Sequence, residues 1–202
     1  MKINYDLKFQ EIVNGITKKP KLLLHSCCGP CSSASIEKLA QFFDITVVYY
    51  NPNIYPESEY KKRLETQRQI CEKFAIGLVE EKYCEQEFLE KVKGLENAAE
   101  GGERCTVCFA QRLERVASLA KQKGYDFFGT TLTISPHKNE QIINKLGESL
   151  AQKYGIDFLF CDLKKHDGYK RSIELSKMHN LYRQTYCGCR FSLKAQNNGS
   201  EI

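Results

Sequence analysis

The residues best suited to chemistry in this chain are its cysteines. There are ten among 202 residues, and seven of them fall into three tight groups. Cys27, Cys28 and Cys31 lie in SCCGPCSS, Cys105 and Cys108 in ERCTVCF, and Cys187 and Cys189 in YCGCR. Two thiolates of a Cys-x-x-Cys pair can bind one centre from a single turn, and two such pairs complete a four-thiolate site for zinc or a [4Fe–4S] cluster. A structural zinc is the plainer reading, but seven grouped thiols exceed what a closed zinc site uses. Cys28-Gly29-Pro30-Cys31 also matches the redox tetrapeptide of thioredoxins, and a helix N-terminus there lowers a thiol pKa. Thioredoxins, however, are shorter and have no use for the remaining groups. In Cys187-Gly188-Cys189 the sulfurs are within reach of a strained, reducible disulfide of the kind that serves catalysis. A metal-ligand role is its rival. Cys71, Cys84 and Cys161 stand alone and are expected to be buried as small apolar residues.

The elements that must position these groups follow from hydrophobic patterning. Short, nearly continuous apolar runs at 21–25, 45–50, 76–80, 126–131 and 157–161 read as strands buried on both faces. Helical patterns lie between them at about 32–43, 57–74, 85–93, 107–123, 137–153 and 169–180. The alternation predicts a three-layer, Rossmann-like α/β fold with a parallel sheet and helices on both faces. An additional helix is expected near 5–17, packed on the outside, and Gly94–Glu103 reads as a loop. A single domain over 1–194 is expected, with a polar, disordered tail at 195–202. In open sheets of this kind ligands bind at the carboxyl ends of the strands. HSCCGPCSS, NPNIYP and TLTISPHKN each follow a strand, so they should converge on one rim.

Composition narrows the setting. Hydrophobic residues make up 42% and charged residues 27%, as in ordinary globular domains. No apolar run approaches the roughly 18 residues a membrane span needs, and the first residues lack a secretory signal. A cytoplasmic protein is expected, in a reducing compartment where grouped cysteines point to metal ligation or redox chemistry. The net charge of +5 leans mildly toward anionic partners.

Taken together, SCCGPC, NPNIYPESEYKKR, GGERCTVCF, GTTLTISPHKN and LYRQTYCGCRFS resemble the QueH epoxyqueuosine reductases, over about Lys21–Ser192. The resemblance implies a fold related to the nucleotide α-hydrolases, in which the loop after the first strand binds ATP phosphates. Cysteines occupy that loop here, the SGGxDS pattern is missing, and no ATP use is expected. The implied reaction is the last step of queuosine synthesis, in which epoxyqueuosine at the wobble position of tRNA loses its epoxide oxygen as water. No cobalamin is implied.

Carried over position by position, Cys27, Cys28, Cys105 and Cys108 would hold a [4Fe–4S] cluster, and Cys187 and Cys189 would be a redox-active pair. Spacing alone equally allows Cys31 in place of Cys27. Thiols left over near Cys31, Cys187 and Cys189 suggest a second, mononuclear iron. The substrate would be tRNA bearing epoxyqueuosine in its anticodon loop, and an external low-potential donor such as ferredoxin or flavodoxin would supply electrons. Tyr55, Tyr60, Arg63, Ser135 and Lys138 are candidate substrate contacts, since cations hold phosphates and tyrosines stack on unpaired bases. For Arg63 and Lys138 a solvated helix face is the alternative. His137 is a candidate proton donor, and Lys170, Arg171 and Arg183 add charge near the last cysteines. Two rivals stand beside this reading: a tRNA sulfur transferase of related fold carrying a cluster, and a zinc-stabilised RNA-binding module.

Overall fold

A computed structural model describes residues 2–193; the tail expected at 195–202 lies outside them. Five parallel strands form one sheet in the order β3-β2-β1-β4-β5. They are β1 (Lys21–His25), β2 (Asp44–Tyr49), β3 (Gly77–Glu80), β4 (Phe127–Thr130) and β5 (Asp157–Phe158). The alternation of side chains divides the core into two layers. Leu22, Leu24, Ile45 and Val47 face one layer, and Leu23, Val48, Phe128 and Phe158 face the other.

Helices α2 (Gly29–Leu39), α3 (Glu57–Lys73) and α7 (Gly168–Met178) cover the first layer. Helices α5 (Glu103–Gln122) and α6 (Glu140–Tyr154) cover the second, with α4 (Glu85–Lys91) against α5. The first helix, α1 (Tyr5–Asn14), is capped by Asn4 and sends Phe9 and Val13 into the first layer. The expected three-layer fold is therefore present.

Two departures matter for the site. Helix α5 begins at Glu103 rather than near 107. Gly102 is its N-cap, and Glu103 complements the helix dipole in the first turn. Cys105 and Cys108 thus fall on successive turns of one face. A short 3-10 helix, Thr131–Ile134, follows β4, and the Thr130 hydroxyl accepts the Leu132 N–H at 3.1 Å. It turns the chain sharply at the strand end and delivers Ser135 and Lys138 to the rim.

The order reverses between β1 and β4, so the crevice of the fold opens at the carboxyl ends of these two strands.

Candidate active site

β1 ends at His25, the chain passes through Ser26 and Cys27, and α2 starts at Gly29 with Cys28 as N-cap and Pro30 in the first turn. This turn brings the Sγ atoms of Cys27, Cys28 and Cys31 within 4.8 Å of one another. Its backbone is fixed from below. The Ser26 and Ser32 hydroxyls converge on Gln67 Oε1 at 2.7 and 2.6 Å, and Asn51 Nδ2 donates to the Ser26 carbonyl at 2.8 Å. Gly29 lets α2 press onto α3, since a Cβ there would lie 2.6 Å from the Thr66 carbonyl oxygen.

The three thiols titrate as a set. Hydrogen bonds from Cys28 and Cys31 hold the Cys27 thiol well below its usual pKa, with help from Lys138 and Arg112. The same bonds push Cys28 up to about 11 and Cys31 well above the usual range. Cys27 is thus the most acidic of the three sulfurs, and a bound metal would favour the thiolate form at all of its ligands.

Cys27 and Cys31 line a cleft of about 690 Å³ together with Cys105 and Cys187. Cys105 is in the first turn of α5, and its Sγ accepts the Gly101 N–H at 3.2 Å. Cys108, one turn further, is buried in a small apolar cluster with Phe88, Val92 and Cys189. Burial pushes its thiol up to about 12. Cys27, Cys28 and Cys31 form the tight triad, Cys105 faces them across the cleft, and Cys108 lies behind. Cys27, Cys28 and Cys31, grouped in the sequence, are grouped in space as well.

The disulfide expected between Cys187 and Cys189 is not formed, and all ten cysteines are free thiols. The reason is local. Cys187 lines the cleft, while Cys189 packs against Phe88 and Val92 and accepts the Ser192 N–H at 3.4 Å. Gly188 between them has φ +127°, a conformation that side chains rarely adopt.

Other candidates sort by position. Ser135, Lys138 and Arg183 line the cleft, with His137 exposed at its edge. Burial disfavours the Lys138 ammonium, but Cys187, Cys27 and Cys31 outweigh it and raise the group above its ordinary value. Arg183 lies over the Tyr169 ring at 5.4 Å. Tyr55 is partly exposed beside Cys-Gly-Cys, its N–H donating to the Gly188 carbonyl at 2.8 Å and its ring under Arg190 at 4.6 Å.

Tyr60 and Arg63 are not placed to touch substrate. The Tyr60 ring is buried against Tyr83, and its hydroxyl donates to the Glu81 carbonyl. Arg63 is 1% exposed. It pairs with Glu59 at 2.7 Å and donates to the carbonyls of Cys187 and Tyr186 at 3.1 and 3.2 Å. It braces the last cysteine segment from inside. Arg171 is held in a bidentate pair with Glu37 at 2.7 and 2.8 Å, and Lys170 is exposed on α7.

The structure adds residues that pattern reading passed over. Gln184 lines the cleft and donates to Cys28 Sγ at 3.2 Å. His25, fully buried, donates from Nε2 to the Tyr50 carbonyl and accepts the Thr130 hydroxyl at Nδ1. Burial and Arg112 pull its pKa down to about 4, so the ring is neutral. Arg112 itself is buried four residues beyond Cys108, and that spacing on one helix face was its sequence signal.

Comparison with known proteins decides the family. The family model described as Epoxyqueuosine reductase QueH matches residues 22–195. The chain belongs to the QueH family. A QueH relative named Epoxyqueuosine reductase QueH, from Staphylococcus epidermidis, is 44% identical over 96% of this chain and 87% of its own length. Another of the same name, from Streptococcus pyogenes serotype M1, is 42% identical over 96% of this chain and 80% of its own. Epoxyqueuosine reductases are oxidoreductases, and this QueH chain is an enzyme of that class. Among solved structures, the U34-tRNA thiolase NcsA from Methanococcus maripaludis with its [4Fe-4S] cluster superposes with a TM-score of 0.59. The identity is 13%, covering 97% of this chain and 71% of that one. That likeness is one of fold.

Proposed function

We propose that this QueH chain reduces the epoxide of epoxyqueuosine in tRNA to give queuosine, at the cleft beyond β1 and β4. The observation that carries the reading is the convergence of thiols from three distant segments, Cys27 and Cys31, Cys105, and Cys187, on that one cleft in a chain of this family.

The donor set fits a soft metal centre. Three sulfurs within 4.8 Å of one another, with a fourth across the cleft, suit iron–sulfur or zinc ligation rather than hard cations. Cys27, Cys28, Cys105 and Cys108 would hold a [4Fe–4S] cluster, which when bound supplies single electrons at low potential. Cys31 and Cys187 then remain in the cleft as thiols for an adjacent iron. Cys189 packs with Cys108 behind the cleft, close to the same centre.

Loss of the epoxide oxygen as water leaves a carbon–carbon double bond and consumes two electrons and two protons. Oxidation of the Cys187 and Cys189 thiols to a disulfide releases the same number of each. Both are thiols here, the form that donates, and Cys189 must leave its apolar cluster for the bond to form. An external donor, ferredoxin or flavodoxin, then restores them. Lys138 stays protonated beside the thiolates and holds an anionic leaving oxygen or phosphate. His137, exposed at the edge, can pass a proton from solvent to that oxygen.

The test is anaerobic turnover of epoxyqueuosine-containing tRNA by iron- and sulfide-loaded protein. Conversion to queuosine with dithionite or reduced flavodoxin is expected. Loaded, reduced protein that leaves the epoxide intact sinks the reading, and colourless protein that carries one zinc and no sulfide leaves the zinc module in its place.

A further inference from the structure

Among the described residues Arg112 has no carboxylate partner, only the Phe109 ring 5.6 Å from its guanidinium. Its side chain is 2% exposed, and unpaired charges taken out of water are strongly penalised. The other deeply buried arginines are better provided for, although Arg104 Nε is also buried without a hydrogen-bond partner. Arg63 pairs with Glu59, and Arg104 donates to the carbonyls of Leu95 and Glu96. Arg112 donates from Nε to the Cys108 carbonyl of its own helix at 3.1 Å, while Nη2 is buried without a hydrogen-bond partner. Among the described residues it forms no ion pair with a carboxylate. The charges acting most strongly on it are those of Cys108, Cys27 and Cys187.

The guanidinium is therefore fixed one turn beyond Cys108, on the helix that carries Cys105 and Cys108. A second cation, Lys138, reaches the same thiols from the rim. Such a placement is costly for a set of neutral thiols. It is favourable for a site that carries several negative charges.

We propose that Arg112 is a positioning residue that serves as the fixed counter-charge of the cluster and raises its reduction potential. This rests on the cluster reading above. Four thiolates outweigh the positive charge of an iron–sulfur core, and reduction adds one more negative charge. A buried cation stabilises the more negative state more strongly, because interior charges interact through a low dielectric. Nη2 also offers a hydrogen bond toward the sulfurs, which acts in the same direction.

The experiment compares wild type, Arg112→Met and Arg112→Lys after anaerobic loading, with iron and sulfide counted in each. The midpoint potential is read by dithionite titration under electron paramagnetic resonance. In the Met variant the reduction equilibrium should move at least about tenfold against the reduced cluster, which is 59 mV for a one-electron couple. The Lys variant should stay within about threefold of wild type, since it keeps the charge. Without metal, the Met variant should unfold at the same or a higher denaturant concentration than wild type, because an unpaired charge has been removed. Arg112→Gln repeats the comparison if Met does not fold. Equal potentials in loaded wild type and neutral variant overturn the proposal and leave the cluster reading standing. Collapse of both neutral variants without metal marks a scaffold arginine and also overturns it. A wild-type chain that takes up no iron or sulfide overturns both.

Discussion

Cys187 and Cys189 are two residues apart yet occupy different surroundings, one in the cleft and one among Phe88 and Val92. That contrast sharpens the choice between a redox pair and a pair of ligands. As a redox pair, each single Cys→Ser variant should keep most of its iron and cluster absorbance and lose turnover by a factor on the order of a hundred or more. As ligands, the same variants should lose iron in proportion to activity. Metal counting beside single-turnover assays separates the two, and undiminished turnover in both variants would remove each role. The sequence showed the cysteine groups plainly, because thiols are rare and their spacing is local. Solvent access was not visible in it. Tyr60 and Arg63 looked like surface contacts in a charged segment, NPNIYPESEYKKR, but they lie on the inward stripe of a helix whose outward stripe carries the charge. The Arg63–Glu59 pair spans one helical turn, and nothing in the composition says that this turn is covered by a segment more than a hundred residues away.

Among the elements, α2 depends most on a single residue. Gly29→Ala sets a methyl against the Thr66 backbone, which cannot swing aside as a side chain can. A loss of about 3 kcal/mol is expected, at the upper end of overpacking costs, together with poorer metal uptake because the same turn holds Cys28 and Cys31. A urea midpoint equal to wild type would show that the helices have room to separate. Helix α6 carries an acid-labile contact. Burial alone would raise the Glu140 carboxyl, but hydrogen bonds from Lys164, Lys2 and its own backbone N–H pull it down from 4.5 to about 2. A carboxyl with a depressed folded-state pKa stabilises the fold above its unfolded pKa, and that contribution fades as pH falls from 4.5 toward 2. Lys2 is largely exposed, so the contribution is discounted for screening. Glu140→Gln should therefore cost on the order of 1 kcal/mol at pH 7, and the gap from wild type should close by about pH 2. A gap independent of pH would assign the effect to packing. Strand and helix identities were legible because buried strands and amphipathic helices differ in period, and all five strands lie where the apolar runs are. The start of α5 was not, since Gly101-Gly102 reads as a loop until Gly102 is seen capping the helix. β5 spans only Asp157–Phe158, shorter than the apolar run at 157–161, although the Leu159 N–H still donates to the Phe128 carbonyl.

For the whole molecule, the balance of 30 basic and 25 acidic residues is modest. Many cations are already engaged, among them Arg68 with Glu80, Arg171 with Glu37 and Arg190 with Glu85. Among the described residues, Lys138 and Arg183 are the lysine and arginine that line the cleft. Binding of tRNA should therefore weaken with salt along a log–log slope on the order of −2 to −5, as for a handful of phosphate contacts. Anisotropy titrations across a salt series measure it, and affinity that does not change with salt would mean that the modified nucleoside is recognised without the backbone. Among the described residues no helix is long and apolar enough to cross a membrane.

The clasp of Arg63 on the carbonyls of Tyr186 and Cys187 also sets an order of events during synthesis. The sheet strands, the cysteine triad and both α5 cysteines are encoded before the end of α7 at Met178, whereas Cys187 follows nine residues later. At roughly 5–20 residues per second the delay is on the order of a second. In that interval Arg63 has no carbonyls to hold, and the thiols already made lack the wall that Cys187 completes. For the cluster proposed above, iron delivered at that moment would meet a half-built wall, so loading would belong after the clasp has shut.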